Sequence, residues 1–395
     1  MRSGGDEPVI AALVVFWLCF AVCTWIYFGY PAFLFLLSRV RPHPAREHDI
    51  TPFVSFIIAA HDEEEVIGEK LENTLSLDYP EERMEILVVS NGSSDATETI
   101  VASYGDPRVE LISLERPGKM EALNHGARRA RGEILVLTDA DFFLDRRALR
   151  SLVRKFADPE VGGVCGEKRN APEAGGDTTG EGENLYWRYD SWQKRLEGEI
   201  GSVFAADGRL YAVRRELYVP ISDPAQADDI AISTRVVLQG YRLQYEPGAF
   251  GYETGAIEGH EEFRRKIRVT NHSVRALLNL GSRLWSSGFY SVELLSHKLI
   301  RHLIPFFLIP LFASNVLLAF RSPFYRLVLV LHVAFYLLAL LGAALRSHPI
   351  GRLRLLYIPY FFALVNTSAF LGISSILEGK RVVAWRSSDV RQREK

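Results

Sequence analysis

Phe53-Val-Ser-Phe-Ile-Ile-Ala59 is a short apolar run of strand-forming residues, and an acidic, helix-prone stretch from Asp62 to Leu77 follows it. The same order recurs at Glu85-Ile-Leu-Val-Val-Ser90, which precedes a helix-like segment from Asp95 to Tyr104. Two further runs of this kind are Val109-Glu-Leu-Ile-Ser113 and Glu133-Ile-Leu-Val-Leu-Thr138. Strands that alternate with helices form right-handed β-α-β units. The sequence therefore predicts an α/β, Rossmann-like domain with a mostly parallel sheet.

Polar, acid-rich sequence follows three of these strands directly, at His61-Asp-Glu-Glu-Glu65, Asn91-Gly-Ser-Ser-Asp95 and Asp139-Ala-Asp141. Ligands of open α/β sheets bind at the carboxyl ends of the strands. Crowded carboxylates repel each other unless a cation lies between them, and Mg²⁺ is commonly held by one or two carboxylates plus substrate phosphates. An isolated Asp-x-Asp triplet more often indicates a solvated turn or a helix cap. After an apolar strand, beside two other acidic strand ends, it favours a metal–diphosphate site.

Long apolar blocks lie at both ends of the chain. The first, Val9 to Leu37, has no charged residue, and the later ones run Leu303 to Phe320, Leu327 to Leu345 and Leu355 to Leu377. A membrane-spanning helix needs about 20 apolar residues, and the core of a signal peptide is shorter. The alternative, buried helices of a large soluble protein, fits poorly with the arginines that bracket most of the blocks. The chain is expected to be an integral protein of the plasma or inner membrane.

Positive charge predicts the orientation of these segments. Arg39, Arg41 and Arg46 follow the first block, which places the α/β domain in the cytoplasm. Three later spans would put the basic tail from Lys380 onward outside, against the same rule. The last block is therefore either a span or a re-entrant or interfacial segment.

The expected division is 1–46 for an N-terminal span and linker, 47–285 for the catalytic domain, and 286–395 for an interfacial helix and C-terminal segments. The basic stretch Ser296 to His302 suits either that interfacial helix or a plain positive flank.

Charge and cysteine content exclude several classes of function. The formal net charge is −2, whereas broad nucleic-acid binding needs a strongly basic field, so no nucleic-acid partner is expected. The three cysteines, Cys19, Cys23 and Cys165, show no pairing pattern or zinc spacing. A reducing compartment is the simplest assumption for the middle domain.

The stretch from Pro52 to Asp141 resembles the nucleotide-binding half of family 2 glycosyltransferases, which have the GT-A fold. The motifs that carry the resemblance are His61-Asp-Glu-Glu64, Ser90-Asn-Gly-Ser-Ser-Asp95, Gly118-Lys-Met-Glu-Ala-Leu-Asn124 and Asp139-Ala-Asp141. With its membrane segments, the chain is similar to the cellulose, hyaluronan and chitin synthase-like members.

The resemblance implies a role for each matched residue. Glu63, Asn91 and Asp95 would hold the base and ribose of a nucleotide sugar, although the family usually has Asp where this chain has Asn91. Lys119 and Asn124 would line the nucleotide pocket. Asp139 and Asp141 would face the diphosphate and a Mg²⁺ or Mn²⁺ ion, with Asp141 the main ligand.

A later stretch resembles the acceptor-side strand of the family: Ala206-Asp-Gly-Arg-Leu-Tyr-Ala-Val-Arg214. By this resemblance, Asp207 and Gly208 would approach the acceptor. Asp228 and Asp229 then open a predicted helix through Ile230 to Gln239. An anion at a helix N-terminus is also a common cap, so either residue suits that simpler role. The resemblance favours Asp229 as the general base, with Asp228 on the acceptor side.

Processive synthases of the family carry Gln-x-x-Arg-Trp where this chain has Arg265-Lys-Ile-Arg268-Val269. Arg268 matches the arginine and would stabilise the leaving diphosphate by charge. Arg265 and Val269 replace the glutamine and the tryptophan, which argues against processive synthesis. The same basic run also suits contact with lipid headgroups.

Two further features leave alternatives open. The segment from Asn170 to Glu183 is rich in Gly, Thr and Glu and is predicted to be a flexible loop. The aromatic residues that follow it either stack on sugars or pack against the sheet and membrane; they are Tyr186, Trp187, Tyr189 and Trp192.

The resemblance implies a membrane-bound, inverting sugar transfer from a nucleoside diphosphate sugar, with a UDP-sugar expected, to a lipid-linked or glycan acceptor among membrane lipids. Three alternatives remain: a processive polysaccharide synthase coupled to secretion, a catalytically idle membrane protein that binds nucleotide or glycan, and a nucleotidyl- or phosphotransferase that uses the same acidic edge.

Overall fold

The computed structural model describes residues 7–115, 118–169, 178–253 and 259–379, with the side chains of 178–184 and 259–262 left undescribed. Most of the predicted loop from Asn170 and the whole basic tail from Lys380 lie outside these ranges. Residues Thr178 to Glu183 of that predicted loop have helical backbone.

An eight-stranded mixed sheet forms the centre of the α/β domain, in the order β3-β2-β1-β4-β7-β6-β8-β5. The strands are β1 Val54–Ala60, β2 Met84–Asn91, β3 Val109–Leu114, β4 Ile134–Asp139, β5 Phe142–Leu144, β6 Val161–Arg169, β7 Leu210–Arg214 and β8 Arg242–Glu253. The first four in the spatial order are parallel, which confirms the four predicted strands. In the other half β6 and β8 are parallel, while β7 runs against β4 and β6, and β5 runs against β8.

Strand β1 shows why the apolar run has no polar alternation. Phe56 and Ile58 point into one buried cluster, whereas Ile57 and Ala59 point into another on the opposite face of the sheet. A strand covered on both faces is apolar at every position, because successive side chains point to opposite sides. The sheet is therefore sandwiched between two layers of helices.

The helices of the α/β domain are α3 Ile67–Leu75, α4 Thr97–Ala102, α5 Lys119–Arg129, α6 Ala148–Arg154, α7 Thr178–Ile200, α8 Asp228–Leu238, α9 Gly259–Leu278 and α10 Arg283–Ser286. Helices α1 and α2 precede them, and α11 Phe289–Glu293 and α12 to α14 follow them. Short 3₁₀ turns lie at Glu81–Arg83, Lys155–Ala157, Arg215–Leu217 and Pro349–Arg352.

Four helical segments in the described ranges are long and apolar enough to cross a membrane, as predicted: Glu7–Val40, Phe289–Ala319, Pro323–Ala344 and Arg354–Leu377. The first comprises α1 Glu7–Thr24 and α2 Tyr30–Val40, joined by a π-helical turn at Trp25–Gly29. Pro31 lies two residues after the end of this turn, and a proline inside a helix lacks an N–H donor and crowds the preceding turn.

The second segment is longer than predicted. Phe289–Glu293 (α11), a π-helical stretch at Leu294–Leu299 and α12 Ile300–Ala319 form one continuous helix. The basic stretch from Ser296 to His302 lies inside it instead of forming a separate interfacial helix. Buried His297 lies 3.0 Å from Asp190 and 2.6 Å from Glu197 of α7, so this stretch contacts the α/β domain.

The last two apolar helices are α13 Pro323–Ala344 and α14 Arg354–Leu377. Helix α14 contacts the α/β domain along much of its length. The Phe361 ring lies 6.3 Å from Tyr186 of α7, and the Ser375 hydroxyl accepts a 2.7 Å hydrogen bond from Asn271 of α9. These contacts distinguish α14 from α13, whose large side chains are mostly exposed.

Candidate active site

Strand register brings the acidic strand ends together. Ala60 of β1 pairs with Ser90 of β2, and Ala59 pairs with Asp139 of β4. The loops that leave these three parallel strands therefore start side by side at one edge of the sheet, as the sequence predicts.

The first two of these loops are joined by hydrogen bonds. Ser94 N donates to Asp62 Oδ1 at 2.7 Å, and Glu64 N donates to Asp95 Oδ2 at 3.0 Å. Asp62 has a positive φ of 53°, a region that non-glycine residues enter mainly when the surroundings hold them there. The two loops therefore form one rigid wall of the site.

Asp95 is engaged by the protein on both oxygens. Its Oδ1 accepts bonds from Thr97 N at 3.0 Å and Thr97 Oγ1 at 2.5 Å. Burial raises the pKa of Asp95, but these hydrogen bonds and that of Glu64 outweigh it, so the pKa lies below the usual value. Asp95 thus shapes the loop that was predicted to hold ribose.

Asn91 differs from Asp95 in having no partner for its side chain. It is fully buried at the end of β2, and neither its amide nitrogen nor its amide oxygen has a hydrogen-bond partner among the described residues. Its main-chain oxygen lies 3.1 Å from His61 Nδ1. Glu63 is also buried beside this loop and donates its main-chain N–H to Thr97 at 2.8 Å. A buried amide with both groups unused is costly unless a ligand supplies the partner.

Lys119, at the start of α5, joins the two halves of the site. Its ammonium lies 2.8 Å from Asp139 Oδ1, at the end of β4, and 3.4 Å from Asp228 Oδ2, at the start of α8. Burial lowers the pKa of Lys119, but the two carboxylates outweigh it and raise the pKa well above its usual value. The lysine is charged at every relevant pH.

Asp229 lies next to Asp228 in the first turn of α8. Its Oδ1 accepts a 2.8 Å bond from Ile230 N, and a Cβ added at Gly208 would lie 3.6 Å from its carboxylate. Desolvation raises the pKa of Asp229, Asp228 raises it further and Lys298 opposes both, which leaves the pKa at about 6. Such a carboxylate is a competent proton acceptor near neutral pH.

Asp207 is already paired within the protein. Its Oδ1 accepts from Arg209 N at 3.1 Å and lies 3.4 Å from the Arg209 guanidinium, which also contacts Glu253 at 3.2 Å. Burial raises the pKa of Asp207, but Arg209 and Lys194 outweigh it, so the pKa lies below its usual value. Glu253 is also bonded to Lys168, and its pKa falls to about 2 because these cations outweigh burial.

Asn124 was predicted to line the nucleotide pocket, and in the structure its side-chain amide is bonded to the segment before α8. Its amide nitrogen donates to Ile221 O at 2.7 Å, while its oxygen accepts from Tyr218 Oη at 2.9 Å and Ile221 N at 3.1 Å. Both amide groups of Asn124 are therefore used to hold the segment before α8.

Sequence reasoning missed Lys70. It is fully buried under residues 139–141, here called the metal-side loop. Its ammonium donates to Thr138 Oγ1 at 3.1 Å and to the main-chain oxygen of Phe142. These two acceptors flank the segment from Asp139 to Asp141. Burial lowers its pKa to about 7, against the attraction of Asp139 and Asp141. The signal was a lysine on the buried face of α3, where Ile67, Lys70, Leu71 and Thr74 follow the i, i+3, i+4, i+7 spacing of one helix face.

Asp139 and Asp141 are accessible carboxylates on either side of buried Ala140. Among the described residues, no three His, Cys, Asp or Glu side chains are grouped to hold a metal by themselves. Two carboxylates with the remaining positions left to water and phosphate fit Mg²⁺ or Mn²⁺, which are usually held this way in phosphate sites.

Arg265 and Arg268 lie on α9. Within the described part of the chain, Arg268 has no ion pair or side-chain hydrogen bond, and desolvation together with Arg265 lowers its pKa. Its guanidinium is therefore available to an anion. Arg265 acts electrostatically on Glu253, at the end of β8.

Several aromatic residues of α7 are used in packing. Tyr189 donates to Tyr27 O at 2.9 Å, and Tyr186 contacts Phe361, so these two join α7 to membrane helices. The Trp187 ring has Lys168, Lys194 and Arg209 within 6.0 Å of its centroid. The packing interpretation therefore holds for Tyr186 and Tyr189.

Comparison with known proteins gives a consistent result. A family model described as glycosyl transferase family 2 matches residues 55–218. The poly-beta-1,6-N-acetyl-D-glucosamine synthase of Staphylococcus aureus strain COL is 28% identical over 201 residues, 49% of this chain and 48% of that protein. The probable glycosyltransferase YdaM of Bacillus subtilis strain 168 is 30% identical over 220 residues, 51% and 50% of the two chains. The chain thus spans about half the length of the curated relatives it matches.

Likeness of fold extends further than these alignments. The solved structure of the mannosyltransferase PcManGT from Pyrobaculum calidifontis superposes with a TM-score of 0.69 at 24% identity, covering 93% of this chain and 99% of that one. The mixed sheet, the acidic strand ends and this likeness establish the GT-A fold. Residues 55–218 of the chain match glycosyl transferase family 2, so this part of the α/β domain is a family 2 glycosyltransferase domain.

Proposed function

We propose that this protein transfers a sugar from a nucleoside diphosphate sugar to an acceptor hydroxyl at the membrane, with inversion at the anomeric carbon. The observation that carries the proposal is the position of Lys119 between Asp139 and Asp228. This contact joins the donor edge of the sheet to the helix that carries Asp229. Diphosphate and proton acceptor would therefore meet at one place.

The donor side is assigned to the edge formed by β1, β2 and β4. The unused amide of Asn91 pairs with the base, with Glu63 beside it, and Asp95 holds the loop around the ribose. An amide carries both a donor and an acceptor, so it complements the imide edge of uracil as well as the lactam edge of guanine. UDP-sugars remain the first donors to test, and GDP-mannose joins them because PcManGT was solved with GDP-Man and Mn²⁺.

Asp141, with Asp139, would hold Mg²⁺ or Mn²⁺ together with the donor phosphates. A bound divalent cation supplies charge that stabilises the leaving diphosphate. Arg268 adds a second positive charge on the acceptor side, and its lack of an ion pair among the described residues supports this assignment. Asp229 takes the proton of the acceptor hydroxyl as that oxygen forms its bond to the anomeric carbon, while the bond from that carbon to the diphosphate oxygen breaks.

We assign the acceptor as a lipid-linked acceptor or a short glycan. Arg265 and exposed Val269 occupy the places of the family's glutamine and tryptophan, which supports short products. A named polymer synthase among the relatives supports the processive alternative, so N-acetylglucosamine donors belong in the test, together with measurement of product length.

We also propose that the α/β domain, approximately residues 47–285, faces the cytoplasm. The arginines after the first apolar helix support this orientation. Helix α14 lies against α7 and α9 from Phe361 to Ser375, so it is assigned to the domain side of the membrane and not to a full crossing. Three crossings then leave the end of α14 on the side of the domain, where the basic tail satisfies the same charge rule.

The test is release of nucleoside diphosphate by purified protein in lipid nanodiscs, with UDP- and GDP-sugars, Mn²⁺ or Mg²⁺, and a lipid extract as acceptor. Release from one donor should require metal and disappear in Asp141→Ala. Asp229→Asn should lower turnover about 10²- to 10⁴-fold while donor binding persists, since general-base help is typically of that size.

The products separate the alternatives. Free nucleoside diphosphate with a new glycoside supports the transferase. If the acceptors used by the relatives are supplied and the donor binds but is not turned over, the result favours a protein that only binds nucleotide or glycan. Phosphate retained in the product contradicts sugar transfer and favours a phosphotransferase.

A further inference from the structure

The helix that enters the membrane at Phe289 contacts the loop that carries Asp207 and Gly208. Tyr290, at its first turn, donates a 2.7 Å hydrogen bond from Oη to the main-chain oxygen of Phe204. Both residues are buried, with 6% of Tyr290 and 4% of Phe204 exposed. The membrane helix therefore holds this loop in position through the bond from Tyr290 to Phe204.

Phe204 is held on its other sides through the same helix. The His297 ring lies 4.1 Å from the Phe204 ring between centroids, and the Lys298 ammonium lies 5.4 Å from it. The Phe204 N–H donates to Glu197 Oε2 at 3.2 Å, and the other oxygen of Glu197 lies 2.6 Å from His297 Nδ1. The main-chain groups and the ring of Phe204 are all engaged within this contact.

Two residues further on, the same loop is bonded to the helix that carries the proposed base. Ala206 N donates to Ser233 Oγ at 3.0 Å, and Ser233 Oγ donates to Asp229 O at 2.5 Å. Gly208 then approaches the Asp229 carboxylate. A continuous path of hydrogen bonds and main chain thus runs from Tyr290 through Phe204 to Asp229.

Charged groups along this path also act on the Asp229 carboxylate. The groups that act on Asp229 are Asp228 on its own helix, Asp207 on the loop, Lys119 on α5 and Tyr211 on β7, together with Lys298 on the membrane helix. Lys298 is the cation that counters burial and the two aspartates. Its ammonium lies 5.4 Å from the centroid of the Phe204 ring, which places this cation beside the loop that leads to Gly208.

We propose that the segment Phe289–Leu299 is a working part of the active site: Tyr290 and Phe204 position the acceptor loop, and Lys298 is a positioning residue for Asp229. This inference rests on the proposed role of Asp229. It assigns the membrane helix a function that anchoring alone does not require, because an anchor needs only apolar side chains. Seating of the helix in lipid would then be coupled to the geometry of the acceptor side.

Two substitutions in the full-length protein in nanodiscs test this inference. Tyr290→Phe removes one hydrogen bond and keeps the ring, and we expect turnover to fall about 3- to 10-fold with donor affinity unchanged. Lys298→Gln removes the cation, and we expect the acidic limb of the pH–rate profile to move to higher pH by about half a unit or more. Tyr336→Phe and Arg321→Gln are the matched controls, since neither residue reaches the α/β domain, and both should leave rate and profile unchanged.

Hydrogen exchange provides a readout that does not depend on catalysis. Amides of residues 202–209 should exchange faster in Tyr290→Phe than in Tyr336→Phe, and unchanged protection there would overturn the coupling. If Asp229→Asn abolishes turnover while Tyr290→Phe and Lys298→Gln behave like their controls, the further inference is wrong and the proposed function stands. If Asp229→Asn keeps its turnover, the base assignment is wrong, and the exchange data alone judge the coupling.

Discussion

Lys70 illustrates how a buried charge can serve a site that it does not touch directly. Its two acceptors lie immediately before Asp139 and immediately after Asp141, so one ammonium closes both ends of the metal-side loop. A fully buried lysine is tolerated only when its N–H groups are satisfied, which here requires the loop in this conformation.

Replacing Lys70 by methionine keeps the volume and removes the donors. We expect a loss of about 1–3 kcal/mol in stability, because Phe142 O and Thr138 Oγ1 lose their partner. We also expect weaker Mn²⁺ binding, measured by titration followed with electron paramagnetic resonance. Glu69→Met, on the exposed face of the same helix, is the control. Equal Mn²⁺ affinity in both variants would show that Lys70 has no part in shaping the loop.

As the proposed base, Asp229 is expected to make the rate depend on pH in a defined direction. A base must be unprotonated, and desolvation together with Asp228 places its pKa at about 6. Turnover should therefore rise from pH 5 to pH 7 with a midpoint near that value, measured with saturating donor at constant ionic strength. A profile that stays flat over this range would contradict the assignment of Asp229 as the base.

At the scale of elements, the close approach of α14 and α9 helps to position Arg265 and Arg268, which lie on α9. A Cβ at Gly372 would lie 2.8 Å from Thr270 Cβ and 2.9 Å from Ile267 O, so only glycine fits between the two helices. On α9, Arg268 lies between these two positions, one residue after Ile267 and two before Thr270. The last apolar helix therefore helps to set where the guanidinium lies.

Gly372→Ala should separate the two helices and lower stability by about 1–3 kcal/mol, a typical result of overpacking. Turnover should fall more than donor affinity, because Arg268 moves with α9. Gly68→Ala is the control, since its added Cβ would meet only Ile100 at an ordinary 3.8 Å. Thermal unfolding and kinetics of the two variants decide the matter, and an unchanged Gly372→Ala protein would refute the close-packing argument.

At the scale of the whole molecule, the side of the membrane reached by the end of α14 depends on its contacts with the α/β domain. A 24-residue helix is long enough to span, since α-helices rise 1.5 Å per residue. Yet Phe361 and Ser375 both contact helices of the domain. A helix that crossed the bilayer would carry one of these positions away from the domain.

Cysteine labelling in intact cells tests this arrangement, with the three native cysteines replaced by alanine. An impermeant thiol reagent should label Arg321→Cys, between the second and third apolar helices, and should spare Glu378→Cys and Glu121→Cys until the cells are opened. Labelling of Glu378→Cys from outside would instead establish a fourth crossing.

The local pattern of the sequence was sufficient to predict the first half of the fold and to propose the acidic residues of the site. The strands β1 to β4 and the apolar segments are encoded in runs of neighbouring residues, and parallel strands bring their carboxyl ends to one edge by geometry alone. Asp139, Asp141 and Asp229 could be selected this way, because the position of each follows from an adjacent strand or helix start.

Contacts between distant parts of the chain decided the rest. The tertiary structure determined that Lys119 joins Asp139 to Asp228 and that Asn124 is bonded to Ile221. It also determined that Lys70 closes the metal-side loop and that His297 meets Glu197 across 100 residues. Periodicity shows which face of a helix is buried, but not what that face meets. Partner, burial and charge environment together set the pKa of Asp229, and they exist only once the chain has folded.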